Sequence, residues 1–174
     1  MYRYIALLRG INVGGHRKLP MTELRSLLES LGYSNVKTYI QSGNAVFSSE
    51  EEVEGSTIAK AIEEKFGYDV PVLLRTPLEI AQILKDCPFP KEKKEKGYFG
   101  LLYKPPTAKA IETTRSFSFS NEEFVITPQC VYLFFHDGYG KSKMPGNFFE
   151  KNLEVPVTTR NFRTMMKLLE LASS

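Results

Sequence analysis

The sequence predicts an α+β protein built as a tandem duplication of ferredoxin-like βαββαβ units, each followed by an extra helix. Strand-like and helical hydrophobic periods follow one another in that order in each half of the chain. The segments DVPVLLRTPLEIAQIL (69–84) and EVPVTTRNFRTMMKLL (154–169) share the pattern acid-V-P-V-x-x-R and lie 85 residues apart, as Val70 and Val155 do. At this offset Val46 falls on Val131, so strand positions coincide. These observations predict an internal duplication.

The first unit is predicted over residues 1–87. Its elements are expected in this order: a strand over 2–8, a helix with leucines at helical spacing that ends at Gly32, strands over 36–40 and 45–49, a helix over 56–66 that ends at Gly67, and a strand over 70–75. Thr76, Pro77 and Glu79 then supply an N-cap, a first-turn proline and a capping-box acid. This pattern predicts the extra helix.

A charged linker is predicted over 88–97, because PFPKEKKEKG contains prolines and charges and has no apolar period. The second unit is predicted over 98–174 in the same order as the first. Its elements are a strand over 98–103, a helix over 107–115, strands over 122–127 and 130–136, a helix over 147–153, a strand over 155–159 and a helix from Phe162.

The composition is that of a globular protein, with 42% hydrophobic and 25% charged residues among 174. No apolar run has the length of a membrane span and no signal peptide is recognised, so a cytoplasmic protein without membrane contact is expected. Cys87 and Cys130 have neither the spacing of a zinc site nor that of a disulfide framework, and are predicted to be buried thiols. His16 and His136 belong to no ligand motif. We therefore expect no metal and no cofactor.

The net charge of +3 is distributed unevenly along the chain. Residues 1–49 and residues 138–167 each contain six Lys or Arg against two Asp or Glu. Residues 50–69 are strongly acidic, which is typical of a solvated loop and helix face. The two basic segments are those with glycine-rich loops.

The most informative loop is RGINVGG (9–15), directly after the first strand. In a sheet of order 4-1-3-2, the exit of the first strand lies beside the turn between the second and third, here QSGN (41–44). His16 and Arg17 stand where a Walker phosphate loop has Lys and Ser or Thr, which disfavours a nucleotide triphosphatase. Backbone amides in the glycine loop, with Arg9, Arg17 and Lys18 nearby, remain suited to an anion. Alternatively, the glycines only permit left-handed turns, and QSGN is an ordinary hairpin turn.

In the second unit the loop GYGKSKMPG (138–146) and the strand end TTRN (158–161) are expected at one edge. Arg160 and Asn161 offer a guanidinium fork and a carboxamide, or else a surface charge and the N-cap of the last helix. Ser142 and Lys143 fit a nucleophile with a base, or an ordinary basic turn.

With the segments YIALLRGINVGG, LRSLLESLGYSNVKTYIQSGNAVF and TTRNFRTMMKLLEL in this order, the chain resembles the bacterial domain-of-unknown-function family 1697 over nearly its whole length. Members commonly have tryptophan where this chain has Phe162, so the aromatic ring is kept and the indole N–H is lost. The resemblance implies a duplicated α+β fold in a cytosolic bacterial protein. It implies no established activity.

The leading functional hypothesis is a module that binds a phosphate-bearing ligand at the glycine and basic loop edges. A nucleotide or a single-stranded nucleic acid is the expected partner, with Tyr39, Tyr139 and Phe162 available for base stacking. Two alternatives remain: an enzyme that uses the loop as an oxyanion or phosphoryl site, and an interaction or assembly protein without a small ligand. The oligomeric state is not predicted. The candidate ligand-binding residues are Arg9, Gly10, Asn12, Gly14, Gly15, Gln41, Ser42, Asn44, Ser142, Lys143, Arg160 and Asn161.

Overall fold

A computed structural model describes residues 1–174. The chain divides into two compact units, one formed by Met1–Gln82 with Met166–Ser174 and the other by Ile83–Met165. Each unit contains a four-stranded antiparallel sheet and helices, which confirms the α+β class. No helix combines the length and apolar character needed to cross a membrane.

In the first unit the strand order is β2-β3-β1-β4. Its elements are β1 (Tyr2–Leu8), α1 (Met21–Ser30), β2 (Ser34–Tyr39), β3 (Asn44–Ser49), α2 (Gly55–Phe66), β4 (Val72–Arg75) and α3 (Pro77–Lys85). The central strand β3 is buried along its whole length, and β1 is buried from Tyr4 onward. This burial explains why residues 4–8 and 45–47 read as continuous apolar runs, while Asn44, Ser48 and Ser49 of β3 are buried polar residues.

The ends of the first-unit helices follow local rules. Gly67 adopts the left-handed conformation that ends α2, with φ of 73°. At α3 the Thr76 hydroxyl accepts from the Glu79 amide at 3.2 Å, while the Glu79 carboxylate accepts from the Thr76 amide at 2.7 Å. The predicted capping box is therefore confirmed.

The core of the first unit lies between the sheet and the helices α1 and α2. Leu24 and Leu28 of α1 and Ile58 and Ile62 of α2 are fully buried in it. Each such side chain contributes about 1.5–3 kcal/mol of stabilisation relative to an exposed one. The helical leucine spacing thus gives the first sheet one covered face.

The second unit has the strand order β6-β7-β5-β8. Its elements are α4 (Lys91–Glu95), β5 (Tyr98–Leu102), α5 (Ala108–Arg115), β6 (Glu122–Ile126), β7 (Cys130–Phe135), a 3-10 helix (Tyr139–Lys141), α6 (Phe148–Leu153) and β8 (Val157–Asn161), after which α7 (Phe162–Ser173) begins. Its core is rich in phenylalanine, and the Phe148 and Phe149 rings pack edge-on at 5.0 Å.

Helix α4 lies inside the stretch predicted as a linker. Lys91 and Glu95 are spaced one turn apart, with 3.9 Å between the ammonium and the carboxylate. Lys and Glu are good helix formers, so KEKKE forms one turn although it has no apolar period. Cys87 also differs from expectation, because it is only half-buried, whereas Cys130 is fully buried.

The strand pairing of the two units repeats at three offsets rather than one: 94 residues for the first strand, 86 for the third and 85 for the fourth. The pairs are Ile5 with Arg75 and Val46 in the first sheet, and Phe99 with Arg160 and Tyr132 in the second. The arginines keep the offset of 85 residues. Val46, however, corresponds to Tyr132, so the prediction that it falls on Val131 is wrong by one residue. The V-P-V-x-x-R pattern therefore fixes only the last strand of each unit.

Candidate functional site

The exit of β1 and the turn between β2 and β3 lie side by side at one end of the first sheet. We call residues 9–20 the glycine loop and residues 40–43 the β2–β3 turn. The turn is bonded to the last residue of β1, directly before the glycine loop, because the Leu8 amide donates to the Gly43 carbonyl at 2.8 Å. The sheet order therefore brings together the two motifs that the sequence separates by about thirty residues.

Asn12 fastens the glycine loop to itself and to the turn. Its side-chain Oδ1 accepts from the Leu19 amide at 2.8 Å, and its Nδ2 donates to the Leu19 carbonyl at 2.9 Å. The same Nδ2 donates to the Gln41 carbonyl at 2.7 Å. Asn12 has a left-handed backbone, with φ of 56°, which asparagine tolerates better than most residues. Its carboxamide is thus engaged within the protein.

The loop glycines are exposed and left-handed. Gly10, Gly14 and Gly15 have φ values of 70°, 57° and 76°. The His16 amide donates to the Val13 carbonyl at 3.0 Å and closes a tight turn that contains Gly14 and Gly15. Glycine adopts this backbone without the penalty that a Cβ brings, so the loop bends sharply while these three glycines stay exposed.

Gly43 is required for packing. A Cβ at this position would lie 2.8 Å from both the Ile11 Cδ1 atom and the Leu8 Cβ atom, and φ is +90°. Asn44, the next residue, is fully buried and donates from Nδ2 to the Tyr39 carbonyl and to the Ser42 hydroxyl, both at 3.0 Å. Gly43 therefore allows Ile11 and Leu8 to pack against the β2–β3 turn, and the Asn44 side chain holds the turn through its two hydrogen bonds.

Two further residues have a backbone that their side chains disfavour. Arg17 and Ile40 both have φ of 48°. A β-branched residue rarely adopts positive φ, and such strain costs on the order of 1–3 kcal/mol. Both residues are exposed, and Ile40 keeps 48% of its surface in solvent. Strain and an exposed apolar side chain thus coincide beside the glycine loop.

The loop also presents a cluster of cationic side chains. His16, Arg17 and Lys18 are exposed, and neither Arg17 nor Lys18 forms an ion pair. Arg9 is half-buried, and its amide donates to the Pro71 carbonyl at 3.1 Å. The most exposed positive charge of the loop is therefore that of Arg17 and Lys18, whereas Arg9 is half-buried.

In the second unit Ser142 and Lys143 are bound to a residue that the sequence argument did not select. Glu122 on β6 is only 6% exposed. Its Oε1 accepts from the Ser142 hydroxyl at 2.5 Å and from the Lys143 amide at 3.2 Å. Two adjacent acidic residues, Glu122 and Glu123, at the start of an otherwise apolar strand were the available signal. These contacts hold the 142–144 segment against β6.

Arg160 and Asn161 lie at the end of β8 and serve the local structure. The Asn161 Oδ1 accepts from the Thr164 amide at 2.9 Å, so Asn161 caps the following helix. Arg160 is 8% exposed and donates to the Thr158 hydroxyl at 2.9 Å and the Thr159 carbonyl at 3.0 Å. Burial lowers the pKa of its guanidinium to about 10, which leaves it charged at neutral pH. The alternative of a surface charge is wrong.

The three stacking candidates differ in exposure. Tyr139 keeps 59% of its surface in solvent. Tyr39 is half-buried, and so is Phe162, whose ring packs 6.4 Å from that of Phe99. Only Tyr139 presents a large exposed ring.

Two α+β units, the first with a glycine loop fastened to a hairpin turn, define the class of protein. The chain belongs to the family described as "Protein of unknown function (DUF1697)", whose model matches residues 1–132. This match confirms the family over residues 1–132, which include the glycine loop and the β2–β3 turn, whereas the segment TTRNFRTMMKLLEL lies outside the matched residues. No curated protein matches the chain. Among solved structures, it is similar to the conserved bacterial protein SP0830 from Streptococcus pneumoniae, with 26% identity, a TM-score of 0.66 and 98% of each chain covered.

Proposed function

We propose that the protein binds a phosphate-bearing ligand, a nucleotide or a single-stranded nucleic acid, on the exposed side of the glycine loop. One observation carries the proposal. Two exposed cationic residues, Arg17 and Lys18, lie just after two exposed left-handed glycines in a loop that Asn12 holds in place. Uncovered amides and positive charge in a fixed loop are the features that bind phosphate oxygens.

The position of Arg17 supports this proposal. A Cβ added at Gly10 would lie 3.4 Å from the Arg17 Nη1 atom, so this guanidinium lies close to the bare backbone of Gly10. A guanidinium binds two phosphate oxygens at once, and such charge-assisted bonds contribute about 1.5–3 kcal/mol each. Gly10 and Arg17 therefore offer an amide and a fork on one small surface.

Exposed apolar residues favour a ligand that is more than a bare phosphate. Val13 is 68% exposed and Ile40 is 48% exposed. Val13 directly follows Asn12, and Ile40 directly precedes Gln41. Asn12 and Gln41 are joined by a hydrogen bond. A base or sugar carries apolar surface that would cover such side chains, whereas inorganic phosphate would leave them in water.

The proposal concerns the first unit. Ser142 and Asn161 already use their side-chain oxygens within the second unit, and Arg160 is buried. Gln41 and Ser42 remain candidates because both are exposed on the β2–β3 turn. Arg9 remains one as a half-buried cation at the base of the loop.

We further propose that both units have the ferredoxin-like fold and arose by duplication. The strand orders β2-β3-β1-β4 and β6-β7-β5-β8 are equivalent when the strands of each unit are counted separately, which supports this view. A cytoplasmic location stays a prediction from composition.

Fluorescence anisotropy with a labelled single-stranded oligothymidylate of roughly 12 nucleotides tests the function. We expect binding that weakens as salt rises, because phosphate contacts release counterions. Changing Arg17 and Lys18 together to Gln should weaken binding at least tenfold and lower the slope of log K against log salt by about 1.4, for two single-strand contacts. ATP and tripolyphosphate as competitors distinguish nucleotide from bare phosphate recognition.

The matched control changes Arg25 and Lys60 to Gln, since both are exposed helical cations of the same unit and their loss removes the same charge. It should retain most of the binding. Equal weakening in both double variants, or no weakening in either, would rule out a phosphate site at the glycine loop.

A further inference from the structure

The second unit contains a cavity of about 220 Å³ beside the segment that follows the 3-10 helix. It lies among residues of β7, β8, α6 and the 139–146 loop. Its lining includes the apolar side chains of Phe135, Met144 and Phe149 and the hydroxyl-bearing side chains of Tyr139, Ser142 and Thr159. None of these residues belongs to the glycine loop, so the cavity is separate from the phosphate site proposed above.

The size of the cavity restricts its ligand. An apolar cavity of about 150 Å³ holds a benzene ring, whereas sites for drug-sized molecules begin at about 300 Å³. A volume of about 220 Å³ lies between these values. It suits a compound of one or two rings with a small substituent.

The chemistry of the lining favours a neutral aromatic compound. No Asp, Glu, Lys, Arg or His lines the cavity, so a charged ligand would lose its hydration without a partner charge. Three aromatic residues, Phe135, Tyr139 and Phe149, offer ring faces and edges to a planar molecule.

Thr159 supplies the polar contact that would orient such a ligand. It is exposed, and its hydroxyl makes no hydrogen bond within the protein. Ser142 differs, because its hydroxyl proton is donated to Glu122 and it also accepts from the Met144 amide at 3.2 Å. Thr159 can therefore donate or accept, whereas Ser142 has only its remaining lone pair to offer.

The walls are held in place without a ligand. The buried Glu122 fixes Ser142. The Tyr139 ring stacks on Tyr98 at 5.2 Å and packs edge-on against Phe135, also at 5.2 Å. A cavity with fixed walls binds with a smaller loss of conformational entropy than one that must form on binding.

We propose that this cavity is a binding site for a small, neutral, planar aromatic compound that carries a hydrogen-bonding group, with the Thr159 hydroxyl as the contact that selects it. The amide or ring nitrogen of such a compound would bind Thr159 while its ring packs among Phe135, Tyr139 and Phe149.

Two-dimensional ¹H–¹⁵N NMR of the full chain, titrated with benzamide, indole and adenine, tests the proposal. At least one of these probes should shift the amides of Tyr139, Ser142 and Thr159 in a saturable manner. Benzoate has the same ring but a charge and no N–H donor, so it should bind at least tenfold more weakly than benzamide. Cyclohexanecarboxamide should also bind more weakly because it lacks the planar ring.

Two variants locate the site. Thr159→Val removes the hydroxyl at nearly constant shape and should weaken binding of the hydrogen-bonding probe at least fivefold. The matched control Thr113→Val, on an exposed position of α5, should leave it unchanged. Thr159→Phe should fill the cavity and abolish binding.

The proposal is overturned if no probe produces a saturable shift, or if the shifts map away from the cavity. It is equally overturned if Thr159→Val binds like the wild type. Should Thr159→Phe fail to fold, Thr159→Val and its control still decide the question, because that substitution preserves side-chain shape.

Discussion

The first strands of the two units end with the same hydrogen bonds, but the loops that follow them differ in length. Equivalent backbone hydrogen bonds close the two strand ends. These are, in the first unit, Leu8 N to Gly43 O (2.8 Å) and Arg9 N to Pro71 O (3.1 Å), and, in the second, Leu102 N to Gln129 O (3.0 Å) and Tyr103 N to Pro156 O (3.2 Å). Beyond them the chain runs through residues 9–20 before α1 begins, but only through 103–107 before α5. The glycine loop is thus a longer connection that follows a strand end common to both units.

The difference shows which glycines the sheet requires and which the loop requires. Gly43 corresponds to Gln129, so the shared strand-end bond does not need glycine. A Cβ at Gly43 would lie 2.8 Å from Leu8, whose counterpart Leu102 is bonded to Gln129, and also 2.8 Å from Ile11, which belongs to the longer loop. The glycine-rich turn is therefore a consequence of the loop above it.

The largest effect is expected from Gly43→Ala. The new methyl group would meet Ile11 and Leu8 at 2.8 Å in a left-handed backbone. Overpacking and backbone strain together should destabilise the protein by about 3–5 kcal/mol, measured by urea unfolding. Gln129→Ala, at the exposed counterpart, should stay within about 0.5 kcal/mol. Similar losses at both positions would mean that the strand end itself, and not Ile11, sets the requirement.

Asn12→Ala should have the next largest effect. It removes three hydrogen bonds and places alanine at φ of 56°. A loss of about 2–4 kcal/mol is expected. In the short loop of the second unit, Thr107 caps α5 through a single bond of 3.1 Å from the Ala110 amide. Thr107→Ala should cost about 1 kcal/mol. An Asn12→Ala cost no greater than that of Thr107→Ala would show that the glycine loop does not depend on Asn12.

The secondary structure could be predicted from the sequence because it follows from local signals. Leucine spacing, the cap at Thr76 and the stop at Gly67 are read from neighbouring residues, and all three operate as expected. Helix α4 lacked such a signal, because a single turn of Lys and Glu buries no apolar face. The offset between β3 and β7 was misjudged because register is set by pairing across the sheet, which a short identity elsewhere does not report.

The candidate site could be predicted only as a neighbourhood. The strand order was enough to bring the glycine loop to the β2–β3 turn. The engagement of Asn12 and Asn44 within the protein depends on side-chain bonds between distant residues. The burial of Arg160 and the role of Glu122 have the same origin, since neither local spacing nor composition shows which polar group lies inside.

Gly15→Ala should show the cost of a left-handed backbone without a steric clash. A Cβ there meets nothing within 4 Å, but φ is +76°, so only the left-handed strain of about 1–2 kcal/mol is expected. Gly140, in the second unit, has equal space and no positive φ. Gly140→Ala should be neutral or stabilise by up to about 1 kcal/mol. Paired unfolding curves measure this contrast, and equal effects would contradict it.

The smallest effect on stability is expected from changing Arg17 and Lys18 together to Gln. Both side chains are exposed and form no ion pair, so unfolding should change by no more than about 0.5 kcal/mol. Ser142, a candidate site residue of the second unit, is bound to the buried Glu122. Ser142→Ala removes the shorter of the two hydrogen bonds that this buried carboxylate accepts, leaves only the one from the Lys143 amide, and should cost about 1–3 kcal/mol.

This last contrast separates side chains that stabilise the fold from side chains that remain available to a ligand. Residues kept for binding contribute little to stability and much to affinity, so the Arg17 and Lys18 double variant should lose oligonucleotide binding while its unfolding midpoint stays unchanged. A marked drop in stability would instead make these cations part of the loop structure. Arg17 and Lys18 would then stabilise the fold, and their exposed charge would no longer support a phosphate site at the glycine loop.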